Sequence, residues 1–231
     1  MKTIGLLGGM SWESTVTYYQ LINQTVKQQL GGLHSAKIIL YSVDFDEIEK
    51  CQAQGDWDKS AEILASAAQK LVLAGADFVV ICTNTMHKVA PQIAKAIDVP
   101  LIHIADATIS SLKQQHIRRV ALLGTKYTML EDFYKARIIE QGIEVLIPNA
   151  EQLELINQVI FDELCLGQIN PSSRAKFQQI IDSLKQQSAE GVILGCTEIG
   201  LLISQQDSVL PIFDTTVIHA HTAAKLALEQ N

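Results

Sequence analysis

No apolar run in this 231-residue chain approaches the ~18–20 residues that a membrane-spanning helix needs, so no membrane partner is expected. The start runs from Met1-Lys2-Thr3 straight into Ile4-Gly5-Leu6-Leu7. It lacks the apolar h-region and small-residue cleavage site of a secretory leader, and a cytoplasmic location is expected. Clustered cations are missing too. Lys and Arg number 18 against 25 Asp and Glu, the net charge is −7, and the basic residues are dispersed. That excludes nucleic acid as an expected partner. There is no C-x-x-C pair. Cys51, Cys82, Cys165 and Cys196 are widely spaced, which favours free thiols and argues against a structural zinc site. Neither G-x-G-x-x-G nor a P-loop occurs. Gly5-Leu6-Leu7-Gly8-Gly9 reads either as a tight turn needing positive φ or as a turn that offers backbone N–H groups to a carboxylate. No Gly/Ser/Pro-rich linker or low-complexity segment interrupts the chain.

What is present is a repeat. Ile4-Gly5-Leu6-Leu7-Gly8 is echoed by Val120-Ala121-Leu122-Leu123-Gly124, and Phe78-Val79-Val80-Ile81-Cys82-Thr83 by Gly191-Val192-Ile193-Leu194-Gly195-Cys196. Pro100 is echoed by Pro211. Gly8 to Gly124, Thr83 to Cys196 and Pro100 to Pro211 are offsets of 116, 113 and 111 residues. Duplication with pseudo-twofold symmetry would set Thr83 and Cys196 on opposite sides of one ligand. Such a site suits chemistry that treats both faces of a carbon alike.

Short Val/Ile/Leu runs alternate with amphipathic stretches. Strands are predicted at 3–7, 37–42, 78–81, 100–102, 119–123, 144–147, 192–194 and 210–213. Helices are predicted at 14–29, 59–73, 89–96, 107–115, 131–141, 152–164, 173–187 and 216–229. Continuous apolar strands joined by helices indicate βαβ units and parallel sheets covered on both faces. The expected fold is α/β, with two pseudo-symmetric lobes, each a mainly parallel sheet flanked by helices, and a cleft between them. The first lobe is expected to be 1–102 plus 214–231, the second 103–213. Ligands of such sheets bind at the carboxyl ends of strands. Gly8-Gly9-Met10-Ser11, Thr83-Asn84-Thr85, Thr125-Lys126-Tyr127-Thr128 and Cys196-Thr197-Glu198 all follow strand ends.

Thr83-Asn84-Thr85 supplies hydroxyls, an amide and backbone N–H groups, though Thr and Asn also cap helices. A cysteine at a strand end before a helix, as at Cys196, is placed where thiol acidity rises. Cys82 points to the other face by strand alternation and reads as a core thiol, as Cys51 and Cys165 read as structural or incidental. His87 reads as a structural residue one turn beyond Thr83. His219 and His221 sit i, i+2 on a helix and cannot serve one metal together, while His103 and His116 show no partner at ligand spacing.

These motifs resemble the aspartate/glutamate racemase family over essentially the whole chain, from Gly8-Gly9-Met10-Ser11-Trp12-Glu13-Ser14-Thr15 through Thr83-Asn84-Thr85-Met86-His87 to Gly195-Cys196-Thr197-Glu198. In that family the first motif is usually Cys-Asn-Thr-x-His, and here Thr83 stands at the Cys position with Cys82 just before it. The second motif matches fully. At Leu164-Cys165-Leu166-Gly167, where many aspartate racemases carry Lys, this chain carries Cys165. The similarity runs to a subgroup of broad or L-selective racemases with a Thr/Cys pair.

The resemblance implies cofactor-independent racemisation of aspartate or glutamate, with no metal. Cys196 would act as thiolate base on one face of Cα and Thr83 would act on the other. Asn84, Thr85 and Thr197 would hold the α-carboxylate, Met10, Ser11 and Thr125 would frame the site, and Gln52 would meet the side-chain carboxylate. Glu198 would accept from the substrate ammonium or orient the thiol. A homodimer is expected on general grounds. Two alternatives remain open from sequence. One is a maleate isomerase or malonate decarboxylase-like enzyme; the other is an inactive amino-acid-binding protein.

Overall fold

The computed structural model describes residues 1–229. Residues 230 and 231 of the segment 214–231 lie outside them. The chain divides into two compact units, Met1–Ile104 with the segment from Thr216 onward, and Ala105–Thr215. In the first half the elements run β1 (Ile4–Gly8), α1 (Trp12–Leu30), β2 (Ile38–Ser42), α2 (Phe45–Gln54), α3 (Trp57–Leu73), β3 (Phe78–Ile81), α4 (Ala90–Lys95) and β4 (Leu101–Ile102). Then come α5 (Ile104–Gln114), β5 (Arg119–Gly124), α6 (Lys126–Leu130), α7 (Asp132–Ile139), β6 (Glu144–Leu146) and α8 (Ala150–Asp162). The chain continues with α9 (Pro171–Gln186), β7 (Gly191–Gly195), α10 (Ile199–Leu202), β8 (Ile212–Asp214) and α11 (Thr215–Leu228). No helix among the described residues is long and apolar enough to cross a membrane.

Each unit holds one four-stranded parallel sheet, in the orders β2-β1-β3-β4 and β6-β5-β7-β8. The two orders are the same pattern, so the repeat in sequence is a repeat of topology. In each, the chain moves outward from the first strand and returns on its other side. The strand order therefore reverses between β1 and β3, and again between β5 and β7. Those reversal points are where open parallel sheets leave a crevice at the strands' carboxyl ends.

The first sheet shows why its strands read as unbroken apolar runs. Every residue of β1 and β3 is buried. Ile4, Leu6, Phe78, Val80 and Cys82 pack on one face with Tyr18, Ile22 and Val26 of α1 and with Ala220, Ala223, Ala224 and Ala227 of α11. Leu7, Val79 and Ile81 pack on the other with Leu64, Ala67, Ala68 and Leu71 of α3. This is the period-two alternation of a strand, with a helix layer waiting on each side. Each such large side chain contributes roughly 1.5–3 kcal/mol by leaving water.

All eight predicted strands form. The helices differ where they are short. The helix predicted at 89–96 is preceded by a 3₁₀ turn over Thr85–Val89, and the one predicted at 131–141 forms as α7, separated by extended Glu131 (ψ 156°) from α6, which the periodicity does not predict. Helices α6 and α10, five and four residues long, carry too few turns to show a periodic stripe. Helix α2 buries only Ile48 and Gln52, so its pattern is mostly that of a solvated surface.

Candidate active site

At the reversal point of the first sheet, two of the expected motifs meet. Gly9 has φ +94°, and its N–H is donated to Thr15 Oγ1 at 2.8 Å. Of the two readings of the glycine turn, the conformational one holds at Gly9, because that N–H is already used. The Met10–Ser11 peptide is cis. Met10 is buried, and Ser11 caps α1 by accepting from the Ser14 N–H. The Ser14 hydroxyl crosses to the end of β3 and donates to the Cys82 carbonyl at 2.9 Å. Thr83 lies in the bend beyond, half-buried. Asn84 is buried, and its side chain makes no capping bond to the 3₁₀ turn it precedes; half-buried Thr85 starts that turn. Gln52, from α2, reaches the same place and donates from Nε2 to Met86 Sδ at 2.9 Å. Thus Met10, Ser11, Gln52, Thr83, Asn84 and Thr85 are gathered by one unit.

The second sheet gathers the remainder. Thr125 follows β5, is buried, and caps α6 by accepting from the Thr128 N–H. A Cβ at Gly195 would stand 3.1 Å from the Thr128 side chain and from the Leu123 carbonyl, so a larger residue before Cys196 would press on both. Cys196, at 8% exposure, directs its thiol to Glu198 Oε2 at 3.0 Å, and Thr197 Oγ1 donates to the same oxygen at 2.5 Å. Glu198 is itself buried. Burial, followed by the charge and hydrogen bond of Glu198, pushes the Cys196 thiol well above its ordinary value. Sequence position alone suggested the opposite direction. A carboxylate two residues on reverses it: negative charge beside sulfur penalises the thiolate.

Cys82 is fully buried among the apolar residues of the first sheet, and burial raises its pKa far above that of a free thiol. It is a core thiol. Cys51 and Cys165 are partly buried thiols, and Cys165 is close enough to Cys196 to raise its pKa further.

Three histidines that show no common spacing in sequence come together behind the first motif. The His87 ring lies 4.5 Å from that of His103 and 5.8 Å from that of His219, whose own ring meets Tyr18 edge-on at 5.7 Å. All are buried. Desolvation, then the neighbouring imidazoles, holds His87 well below the usual imidazole range, and desolvation lowers His219 to about 4. His87 and His219 are neutral at neutral pH. No spacing rule could have found them, because positions 87, 103 and 219 belong to different elements.

Comparison with known proteins defines the class first. The chain is similar to a Yersinia pestis protein assigned to the Asp/Glu racemases, at 56% identity and TM-score 0.94 over 99% of this chain and 100% of that one. It is similar to an aspartate racemase homologue from Pyrococcus horikoshii OT3, at 36% identity and TM-score 0.88 over 99% and 100%. Among curated proteins it is similar to the broad specificity amino-acid racemase RacX of Bacillus subtilis (strain 168). There the identity is 25% over 240 residues, covering 97% of this chain and 98% of RacX. The fold is that of the α/β amino-acid racemases. The profile of the Asp/Glu/Hydantoin racemase family matches residues 7–223, and the chain belongs to that family. It is accordingly an amino-acid racemase, an isomerase.

Proposed function

We propose that this racemase acts on the acidic amino acids aspartate and glutamate, without a cofactor, by proton transfer at Cα between Cys196 on one face and Thr83 on the other. The observation that carries the proposal is the buried thiol of Cys196 hydrogen-bonded to a buried carboxylate at a strand end. In the resting arrangement the thiol keeps its proton, aimed at Glu198 Oε2. Transfer of that proton to Glu198 leaves a thiolate, which takes the Cα–H. The Thr83 O–H bond then breaks as a new Cα–H bond forms on the opposite face; Glu198 releases its proton to solvent and the Thr83 oxygen takes one up, which restores the resting state. A substrate ammonium beside Glu198 would offset its charge and make the thiolate easier to form.

Donors at Asn84, Thr85 and Thr197 hold the α-carboxylate as negative charge develops, the role of pre-set hydrogen-bond donors in carbanion chemistry. Gln52 faces the side-chain carboxylate as a neutral donor, and Met10, Ser11 and Thr125 frame the substrate. A threonine hydroxyl is a far weaker base than a thiolate, so the enantiomer whose Cα–H meets Cys196 should show the higher kcat. The free enantiomers are equal in energy. Hence kcat/KM is the same in both directions, and any kcat asymmetry is matched in KM. The homodimer and cytoplasmic location expected from sequence belong to the same proposal and are tested by sedimentation and cell fractionation.

Proton NMR of L-aspartate and L-glutamate in D₂O is the direct test. Loss of the α-proton signal with wild-type enzyme, abolished by Cys196→Ala, supports the mechanism. Binding without exchange, or exchange that survives the substitution, would sink it.

A further inference from the structure

Thr83 stands in an irregular bend, yet proton delivery to one face of a carbon demands that its hydroxyl be held to a fraction of an ångström. The backbone carbonyls before and at Thr83 show what holds it. Ser14 Oγ donates to the Cys82 carbonyl at 2.9 Å, and His87 Nδ1 lies 2.8 Å from the Thr83 carbonyl. A carbonyl only accepts, so Nδ1 carries the ring proton. Nε2 is then the acceptor, and the Ile104 N–H donates to it at 3.1 Å. His219 is assigned the opposite way. Its Nε2 lies 2.9 Å from the Ile102 carbonyl and must be the donor, which leaves Nδ1 to receive the Tyr18 hydroxyl at 2.9 Å. The chain on either side of His103 is therefore gripped twice, at Ile102 by His219 and at Ile104 by His87. The His103 ring packs edge-on against that of His87, with centroids 4.5 Å apart.

A buried imidazole loses its hydration, so an apolar side chain would serve better if packing were its whole purpose. Here both nitrogens of His87 are spent on backbone atoms, one of them the carbonyl of Thr83 itself. We propose that His87 is a positioning residue for proton delivery by Thr83, and that His219 and Tyr18 brace it through the Ile102–Ile104 segment. The proposal rests on Thr83 acting as a proton-transfer group and adds what fixes it in place.

The test separates inversion from exchange. In D₂O, starting from the enantiomer whose Cα–H meets Cys196, inversion needs Thr83. Deuteration of the recovered starting enantiomer needs only Cys196. Misplacing Thr83 should therefore lower inversion more than exchange, whereas general loss of folded enzyme lowers both in proportion. For His87→Ala the expected fall in inversion per exchange event is about 10²-fold, the size of a ~1 Å misplacement of a reacting group. His87→Asn keeps an N–H at the Nδ1 position and should retain most inversion. His87→Gln places its amide at the Nε2 position and should lose it. Thr83→Ala gives the limiting ratio. An unchanged ratio in His87→Ala, or equal losses in His87→Asn and His87→Gln, overturns the positioning role while leaving the racemase mechanism standing. Wild-type enzyme that neither exchanges nor inverts either amino acid overturns both.

Discussion

The two sheets have the same strand order, but their central strands end in opposite chemistry. The first ends in Cys82-Thr83, with a hydroxyl at the strand end and three buried imidazoles behind it. The second ends in Gly195-Cys196, with a thiol at the corresponding place and the Glu198 carboxylate 3.0 Å from its sulfur. All the buried histidines lie in the first unit; His116 of the second is exposed. The parallel sheet, the reversal of strand order and the strand-end motif are common to both. What differs is the charge placed next to the motif. Duplication thus supplies two equivalent positions, and their neighbours differ: an imidazole on the Thr83 carbonyl in one, a carboxylate beside the Cys196 thiol in the other.

The sharpest way to break this comparison is to exchange the roles of the two motif cysteines. Cys196→Ala should lower kcat by about 10²- to 10⁴-fold, the usual worth of an acid–base group, with the fold intact. Cys82→Ala should leave the chemistry in place and cost stability through the small cavity it creates. Activity lost in Cys82→Ala and kept in Cys196→Ala would overturn the assignment of thiols.

Acid should distinguish the units next. The folded pKa of His219 is about 4 against an ordinary 6.5. The unfolded chain therefore binds the extra proton between those values. Stability is fully present above pH 6.5 and declines as pH falls toward 4, by about 3 kcal/mol at most for this one group. His87 acts in the same direction. Hydrogen exchange should show the first unit loosening over this window before the second does. His219→Gln should flatten the pH dependence, and a uniform response of both units would contradict it.

Glu198→Gln should split acidity from activity. Removing the charge beside sulfur lets the Cys196 thiol ionise at lower pH, read from the pH dependence of its alkylation rate. Racemisation should still fall, by about 10- to 100-fold, because the acceptor of the thiol proton is gone. A rise in racemisation would show that the carboxylate only hinders the thiol. The smallest expected effect comes from making the halves alike. Thr83→Cys should raise activity severalfold and narrow the kcat difference between enantiomers, measured by polarimetry in both directions; no change, or a loss, would count against Thr83 as the opposite-face group.

Much of this contrast was legible in the sequence because strands buried on both faces must be written as continuous apolar runs. Phe78–Ile81 and Gly191–Gly195 announce themselves in that way, and the polar residues that follow mark the strand ends. The reach of Gln52 to Met86 was not legible, since α2 reads as a solvated helix and carries only two buried residues. Nor was the raised pKa of the Cys196 thiol. Position at a strand end argues for a lowered value, whereas burial and the rotamer of Glu198 decide for a raised one.

The sequence by itself determined the α/β class, the duplication, the eight strands and the residues at their carboxyl ends. Each of these follows from local periodicity or from self-similarity along the chain. Only the tertiary structure decided which polar atoms meet. The edge-on cluster of His87 with His103 and His219, the Ser14 bond to Cys82 and the clamp around His103, braced by Tyr18, join residues 16 to 201 positions apart. Hydrogen bonds and desolvation act over a few ångströms of space, and no pattern along the chain encodes that proximity before the sheets have formed.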